Sequence, residues 1–332
     1  MKNLLLVSLS LSFVFFVGCS SKKVFEPEVT GDSWDKYESV DDDVIDITST
    51  AALLDNRKVL AKDKLIDVEI SEDYRLISNT DGWIVSATID GKLKLQSIEN
   101  KETVEEFELS KTIASATVKG DYLAVLFADN DMGVYSIASK ELLVKEKVGE
   151  TLAVDSRIAA PRFVGGVVIF PTLDGKIVII NPETKKRLRT TIVSSEDNFN
   201  NILYFNIIDQ KVVAATAYKM LSMAQKESRA KYEIRNVDFN GQDLFVATKQ
   251  GEVVSLTPDL QLKAKLKFPF AHFLGLIAKE DKIYILEKEG YLIVASSDLS
   301  SYTVHSVSID DEGFVFVSDR GFVVNDELIS VE

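Results

Sequence analysis

The chain has few of the residues that usually carry chemistry. Cys19 is its only cysteine, so no internal disulfide can form. The two histidines, His272 and His305, stand without an acidic motif or ligand spacing around them, which argues against a zinc site or a nucleophile–base pair. His272 lies in PFAHFLGL, among apolar residues, and is expected to be partly buried between structural units. No glycine-flanked nucleophilic serine and no phosphate-binding loop occurs. The triplet Asp41-Asp42-Asp43 lacks the glycine turn and spaced ligands of a calcium loop and is read as solvated charge. Positive charge is in deficit: 38 Lys and Arg face 52 Asp and Glu, and the net charge of −14 argues against nucleic acid as a partner. Beyond Cys19 no apolar run reaches membrane-spanning length. These gaps leave no catalytic residue, no metal ligand and no cofactor to nominate, while the many carboxylates keep a glycosidase-like pair open.

What is present begins at the N-terminus. Lys2 precedes an apolar stretch over residues 4–17 that ends in Gly18-Cys19-Ser20-Ser21. The stretch is too short to remain as a spanning helix and ends in small residues, so residues 1–18 form a signal peptide, cut between Gly18 and Cys19. Phe16-Val17-Gly18-Cys19 resembles the lipobox of bacterial lipoproteins, with Phe16 where that family usually has leucine. The resemblance implies a diacylglycerol on the Cys19 sulfur and an acyl chain such as palmitate on the new amino terminus. At ~0.8 kcal/mol per buried methylene, that anchor is effectively permanent. By the same resemblance, Ser20 after the cysteine implies an outer-membrane protein, lipid-anchored and facing the periplasm. Residues 19–43 are polar and acidic, with Glu26, Glu28, Asp32, Asp35 and Glu38 ahead of the aspartate triplet. Like charges repel and little is available to bury, so this segment is expected to be a flexible tether.

Past the tether one pattern occurs seven times: a polar turn, a short β-type run, a second turn usually containing glycine, and another β-type run. The first turns are Asp81-Gly82, Gly120-Asp121, Gly165-Gly166, Asp209-Gln210, Gly241-Gln242, Glu280-Asp281 and Asp311-Glu312. The runs after them, among them WIVSAT, YLAVLFA and VVIFPT, are rich in β-branched and aromatic residues. The second turns carry Gly91, Gly133, Gly175, Gly251, Gly290 and Gly321, with Tyr218-Lys219 in the fourth unit. Equivalent glycines recur at roughly 40 residues, and three to four short strands at that period is the arithmetic of a propeller blade. A helical solenoid would instead place apolar residues at three-and-four spacing, and separate sandwich domains would need about a hundred residues each. The sequence therefore predicts an all-β fold, a seven-bladed β-propeller of four-stranded antiparallel blades over residues 44–332. The last unit stops after its third run, LISV, so residues 44–70 are expected to close the ring with the C-terminal blade. If they form more than a closing strand, the propeller has eight blades.

The units resemble the quinoprotein-like (PQQ-like) propeller repeats, in particular those of the BamB-like lipoproteins of the bacterial β-barrel assembly machine. The resemblance rests on APRFVGGVVIFPTLDGKIVIINPETKKRLR, residues 160–189, with its small-Pro entry, Gly-Gly turn, Asp-Gly hairpin and Thr-containing turn. The family's glycine and closing tryptophan are missing here. Thr184 is followed by Lys185, and Leu188, Phe107 and Val144 stand at the closing positions, where they are expected to pack by ordinary burial. A quinone-dependent dehydrogenase of this kind would be expected to show more tryptophan, a calcium site and a longer chain. The resemblance implies a non-catalytic, monomeric, membrane-anchored scaffold that meets the outer-membrane β-barrel insertase through loops on one rim. By position that surface lies near Pro161 and includes Arg157. The alternatives are a scaffold for another envelope complex, respiratory or transport, and a propeller that binds a ligand or catalyses a reaction in its central channel.

Overall fold

Short β-branched runs separated by tight turns pair with their nearest neighbours in the chain, and the result is a series of four-stranded antiparallel meanders. The computed structural model describes residues 23–149, 151, 154–196, 198–309 and 313–331 and contains eight such sheets. The expected signal peptide, with Gly18, and the expected lipidation site Cys19 lie outside the described residues. In chain order, blade 1 covers residues 44–69, blade 2 75–108, blade 3 113–146 and blade 4 162–192. Blade 5 covers 204–231, blade 6 234–267, blade 7 273–306, and blade 8 315–330 together with 37–39. The first strands of neighbouring blades approach one another most closely, so they line the axis and the fourth strands form the outer rim.

Each blade is sandwiched between two others, which is why its middle strands are buried on both faces: Ala51–Leu54 in blade 1 and Leu244–Thr248 in blade 6 are buried at every position. One apolar cluster fills each gap between blades. Val59 and Ile66 of blade 1 meet Leu76 and Ile84 of blade 2. At the far end of the chain Leu286 and Leu292 of blade 7 meet Phe322 and Ile329 of blade 8. Phe316 and Val323 of blade 8 then meet Ala52 and Leu54 of blade 1, which closes the circle. At about 1.5–3 kcal/mol per fully buried large apolar side chain, these wedges hold the ring together.

The fold is the all-β propeller expected, with the eight blades of the alternative reading. Residues 44–70 do not close the ring as a strand of the C-terminal blade; residues 44–69 make a complete blade of their own. Closure falls to Tyr37–Ser39, which pairs antiparallel with Glu327–Ser330 through Tyr37↔Ile329 and Ser39↔Glu327. The described part of the expected tether is accordingly docked. Phe25 is buried edge-on to Phe268 and Tyr291. The Gly31 and Trp34 amides donate to the Val304 and Ser306 carbonyls, along the outer strand of blade 7. Trp34 Nε1 donates to the Ser330 carbonyl at 3.0 Å. Backbone pairing and aromatic burial outweigh the like-charge repulsion from which flexibility was expected.

Two smaller expectations also change. Gly133 lies inside the strand Met132–Ser136, not in a turn; Asn130 supplies the left-handed residue of that turn, with φ 68°. Of the three substitutes for the closing tryptophan, Phe107 and Val144 are buried, whereas Leu188 is 57% exposed. In blade 8 the first hairpin turn falls between Val315–Val317 and Gly321–Val324, and the expected Asp311-Glu312 turn lies outside the described residues.

Candidate docking face at the channel mouth

The chain leaves the outer strand of each blade and returns to the axis to begin the next, so the returning segments gather polar groups around one mouth of the channel. Before blade 4, the Asp155 amide donates to Asn201 Oδ1 at 2.7 Å. Asn201 Nδ2 donates back to the Asp155 and Arg157 carbonyls at 3.1 and 2.7 Å. Asn201 is fully buried just before blade 5, so this amide pins the two returning segments together. Arg157 grips Asp155 as a fork, Nε to Oδ1 at 2.8 Å and Nη2 to Oδ2 at 2.6 Å. Burial acts to raise the Asp155 carboxyl, but the hydrogen bonds and charge of Arg157 outweigh it and hold the group below its usual range.

Arg157 Nη1 also donates to the carbonyl of Arg235, on the inner strand of blade 6. The Arg235 guanidinium is pulled down first by burial and then by repulsion from Arg157. Its Nη2 lies 3.4 Å from His272 Nδ1, and its buried Nε has no hydrogen-bond partner. The His272 amide donates to Glu287 Oε1 at 2.8 Å, and Glu287, fully buried, is raised by desolvation. Four consecutive blades therefore converge on a mouth where Arg157 binds the Asp155 carboxylate and the Arg235 guanidinium stands beside that pair.

Deeper along the wall, Arg162 Nη1 donates to Asn206 Oδ1 at 2.8 Å, and Asn206 Nδ2 to the Tyr204 hydroxyl at 3.3 Å. Burial pushes Tyr204 up to about 12 and raises Asp238, whose Oδ2 accepts the Ala278 amide of the next blade at 2.8 Å.

Of the residues singled out from the sequence, Arg157 belongs to this cluster, whereas Pro161 is buried at the entry to blade 4. His272 is exposed rather than partly buried, and His305 lies elsewhere, its Nδ1 2.9 Å from the Asp32 carbonyl oxygen. Arg235 and Asn201 were not legible as partners of Arg157, nor Glu287 as the acceptor of the His272 amide. Arg157, Asn201 and Arg235 lie too far apart in the chain, and only ring closure assembles them. Among the described residues no group of three or more His, Cys, Asp or Glu is placed to hold a metal ion.

The fold thus defines an eight-bladed β-propeller with two arginines at its channel mouth. No family model matches the sequence. The chain is 26% identical over 363 residues to the plasminogen-binding protein PgbB of Helicobacter pylori strain J99, an alignment covering 94% of this chain and 66% of PgbB. The PgbB of strain 26695 gives the same values, so the chain spans just under two thirds of the length of these curated relatives. Among solved structures it is similar to BamB from Moraxella catarrhalis, with a TM-score of 0.64, 12% identity, and coverage of 87% of this chain and 95% of that one. It is also similar to the C-terminal WD40 domain of Sif2, with a TM-score of 0.61, 12% identity, and coverage of 89% and 92%. The architecture is BamB-like at the level of the fold.

Proposed function

We propose that this protein is a non-catalytic docking propeller of the bacterial envelope, anchored through lipid on Cys19 and facing the periplasm, that grips a protein partner at the channel mouth. The observation that carries the reading is Arg235, a partly buried guanidinium crowded by Arg157 and with an unsatisfied Nε. A partner carboxylate meeting the outer nitrogens of that guanidinium gains a charge-assisted hydrogen bond and relieves the repulsion between the two arginines. The partly buried mouth strengthens that pairing relative to one in open solvent.

Two partner identities follow from different observations. The motif resemblance of residues 160–189 and the BamB-like fold support a scaffold for outer-membrane protein assembly whose partner is the β-barrel insertase. The sequence similarity to the plasminogen-binding proteins supports plasminogen as the ligand instead, in which case the propeller faces outward from the cell. One crosslinking and pull-down experiment on intact cells, with and without added plasminogen, separates them. Insertase among the crosslinked proteins, with reduced porin levels on deletion, establishes the first. Retained plasminogen with no insertase and normal porins establishes the second. Neither protein retained above the level of an Arg235→Ala variant overturns the docking reading.

A further inference from the structure

The outer rim is electrically divided, and the division is aligned with the start of the described chain. The outer strands of blades 1 and 2, Leu65–Glu69 and Val104–Glu108, carry Asp67, Glu69, Glu105, Glu106 and Glu108 and no cation. The outer strand of blade 6, Leu262–Lys267, carries Lys263, Lys265 and Lys267 and no acid. That of blade 4, Lys186–Ile192, carries Lys186, Arg187 and Arg189 and likewise no acid. On blade 6 the strand is two-faced. Ala264 and Leu266 pack against the apolar cluster shared with blade 7, while the three lysines point the other way and are 41, 48 and 46% exposed. Lys263 pairs with Asp243, whereas Lys265 and Lys267 share the single carboxylate of Glu252, at 3.1 and 4.0 Å. A cation-rich edge in a chain with a net charge of −14 is a local exception to the composition.

Just past this strand, Phe270 presents its ring to solvent at 57% exposure, with Lys23 Nζ 5.3 Å from the ring centroid. Lys23 is the first described residue, and Cys19 precedes it by four positions. An extended chain of that length reaches about 14 Å. A lipid on Cys19 therefore holds the bilayer surface within that distance of Lys23, whose ammonium lies against the Phe270 ring at the end of the lysine strand. We infer that the outer edge of blade 6 lies against the membrane: Phe270 enters the interface, and Lys263, Lys265, Lys267 and Lys23 face anionic phospholipid headgroups. The inference rests on the anchor assigned to Cys19. It fixes how the propeller stands, rim down at blade 6, with the acidic outer strands of blades 1 and 2 turned away from the bilayer.

The test uses the mature lipoprotein purified from membranes and reconstituted into vesicles of phosphatidylcholine alone or with phosphatidylglycerol. A membrane-impermeant lysine acylating reagent is applied, and peptides are read by mass spectrometry. Each lysine at an anionic surface gains about fivefold in local association, so Lys263, Lys265 and Lys267 should be acylated at least about fivefold more slowly in the anionic vesicles. Lys94 and Lys101, on blade 2, should label equally in both. Phe270→Asn, whose side chain tolerates the φ of 66° found there, should reduce the protection while leaving the melting temperature unchanged. A lipidated N-terminal peptide with unprotected lysines overturns the placement alone. An unmodified Cys19 in the same spectrum overturns the anchor and the placement with it. Protection that appears in solution without vesicles and grows with protein concentration assigns the edge to a second copy of the chain, and likewise overturns the inference.

Discussion

At the scale of single residues, the two arginines of the channel mouth sit close together but do different work. Arg157 neutralises Asp155 and ties blade 4's entry to blade 6 through the Arg235 carbonyl. Arg157→Ala strips a partly buried carboxylate of its partner and is expected to cost about 1–3 kcal/mol in denaturant melts. Arg235→Ala removes a group that is repelled as much as it is held, so its melt should stay within about 0.5 kcal/mol of wild type. Its partner capture in the pull-down, however, should fall at least tenfold. Asp298 supplies a different readout. Its carboxylate accepts hydrogen bonds from Ser296 Oγ, the Ser300 amide and Ser300 Oγ, and these hold it down to about 2. A folded value below the unfolded one near ~3.9 means that the stabilisation is present above about pH 4 and is lost as pH falls from 4 towards 2. The melting-temperature gap between wild type and Asp298→Ala should therefore be constant from pH 7 to 5 and close by pH 2. A gap that persists at pH 2 would remove the carboxylate from the explanation.

At the scale of the hairpin, the turns decide what the sequence discloses. Gly251 shows why glycine marks a blade: its φ is 73°, and a Cβ there would sit 2.2 Å from the Phe268 carbonyl oxygen. Gly251→Ala should cost upward of about 2 kcal/mol, because neither the backbone nor the neighbouring link can give way. Where the turns use such glycines, the repeat was legible, and seven units could be counted. Blade 1 was not legible, because no glycine lies between Gly31 and Gly82 and its first three strands are only four residues long, whereas blade 5, equally without glycine, was counted on its five-residue strands. The turns of blade 1 are built otherwise: Thr48 Oγ1 accepts the Thr50 and Ala51 amides, and Arg57 adopts a φ of 67°. The channel-mouth cluster was legible only as the neighbourhood of Arg157. Its partners, 44 residues away at Asn201 and 78 at Arg235, depend on how many blades intervene and how the ring curves. The closing segment was hidden for a third reason. Its acidic composition argues for disorder, while Phe25 and Trp34, too few to register as a pattern, supply the contacts that dock it. Trp34→Ala should lower stability by about 2 kcal/mol through lost packing and the lost bond to Ser330.

At the scale of the whole molecule, each blade buries its faces only against its neighbours, so stability depends on the circle being complete. Deleting residues 23–40 removes the outer strand of blade 8 and the strap along blade 7. Calorimetry should then show a broadened transition at lower temperature, and hydrogen exchange should rise first in blades 7 and 8. An unchanged single transition would show that the ring does not need its seam. That seam joins Trp34 to Ser330 across 296 positions of chain. One half of the joint therefore emerges into the folding compartment early and the other half 296 residues later. Blades 1 to 7 can assemble in the interval, yet the segment around Trp34 must remain uncommitted until the hairpin of residues 321–330 arrives to receive it. Emergence of that hairpin becomes the event that permits the structure to lock, and pulse-labelled chains should stay protease-sensitive near Trp34 until then.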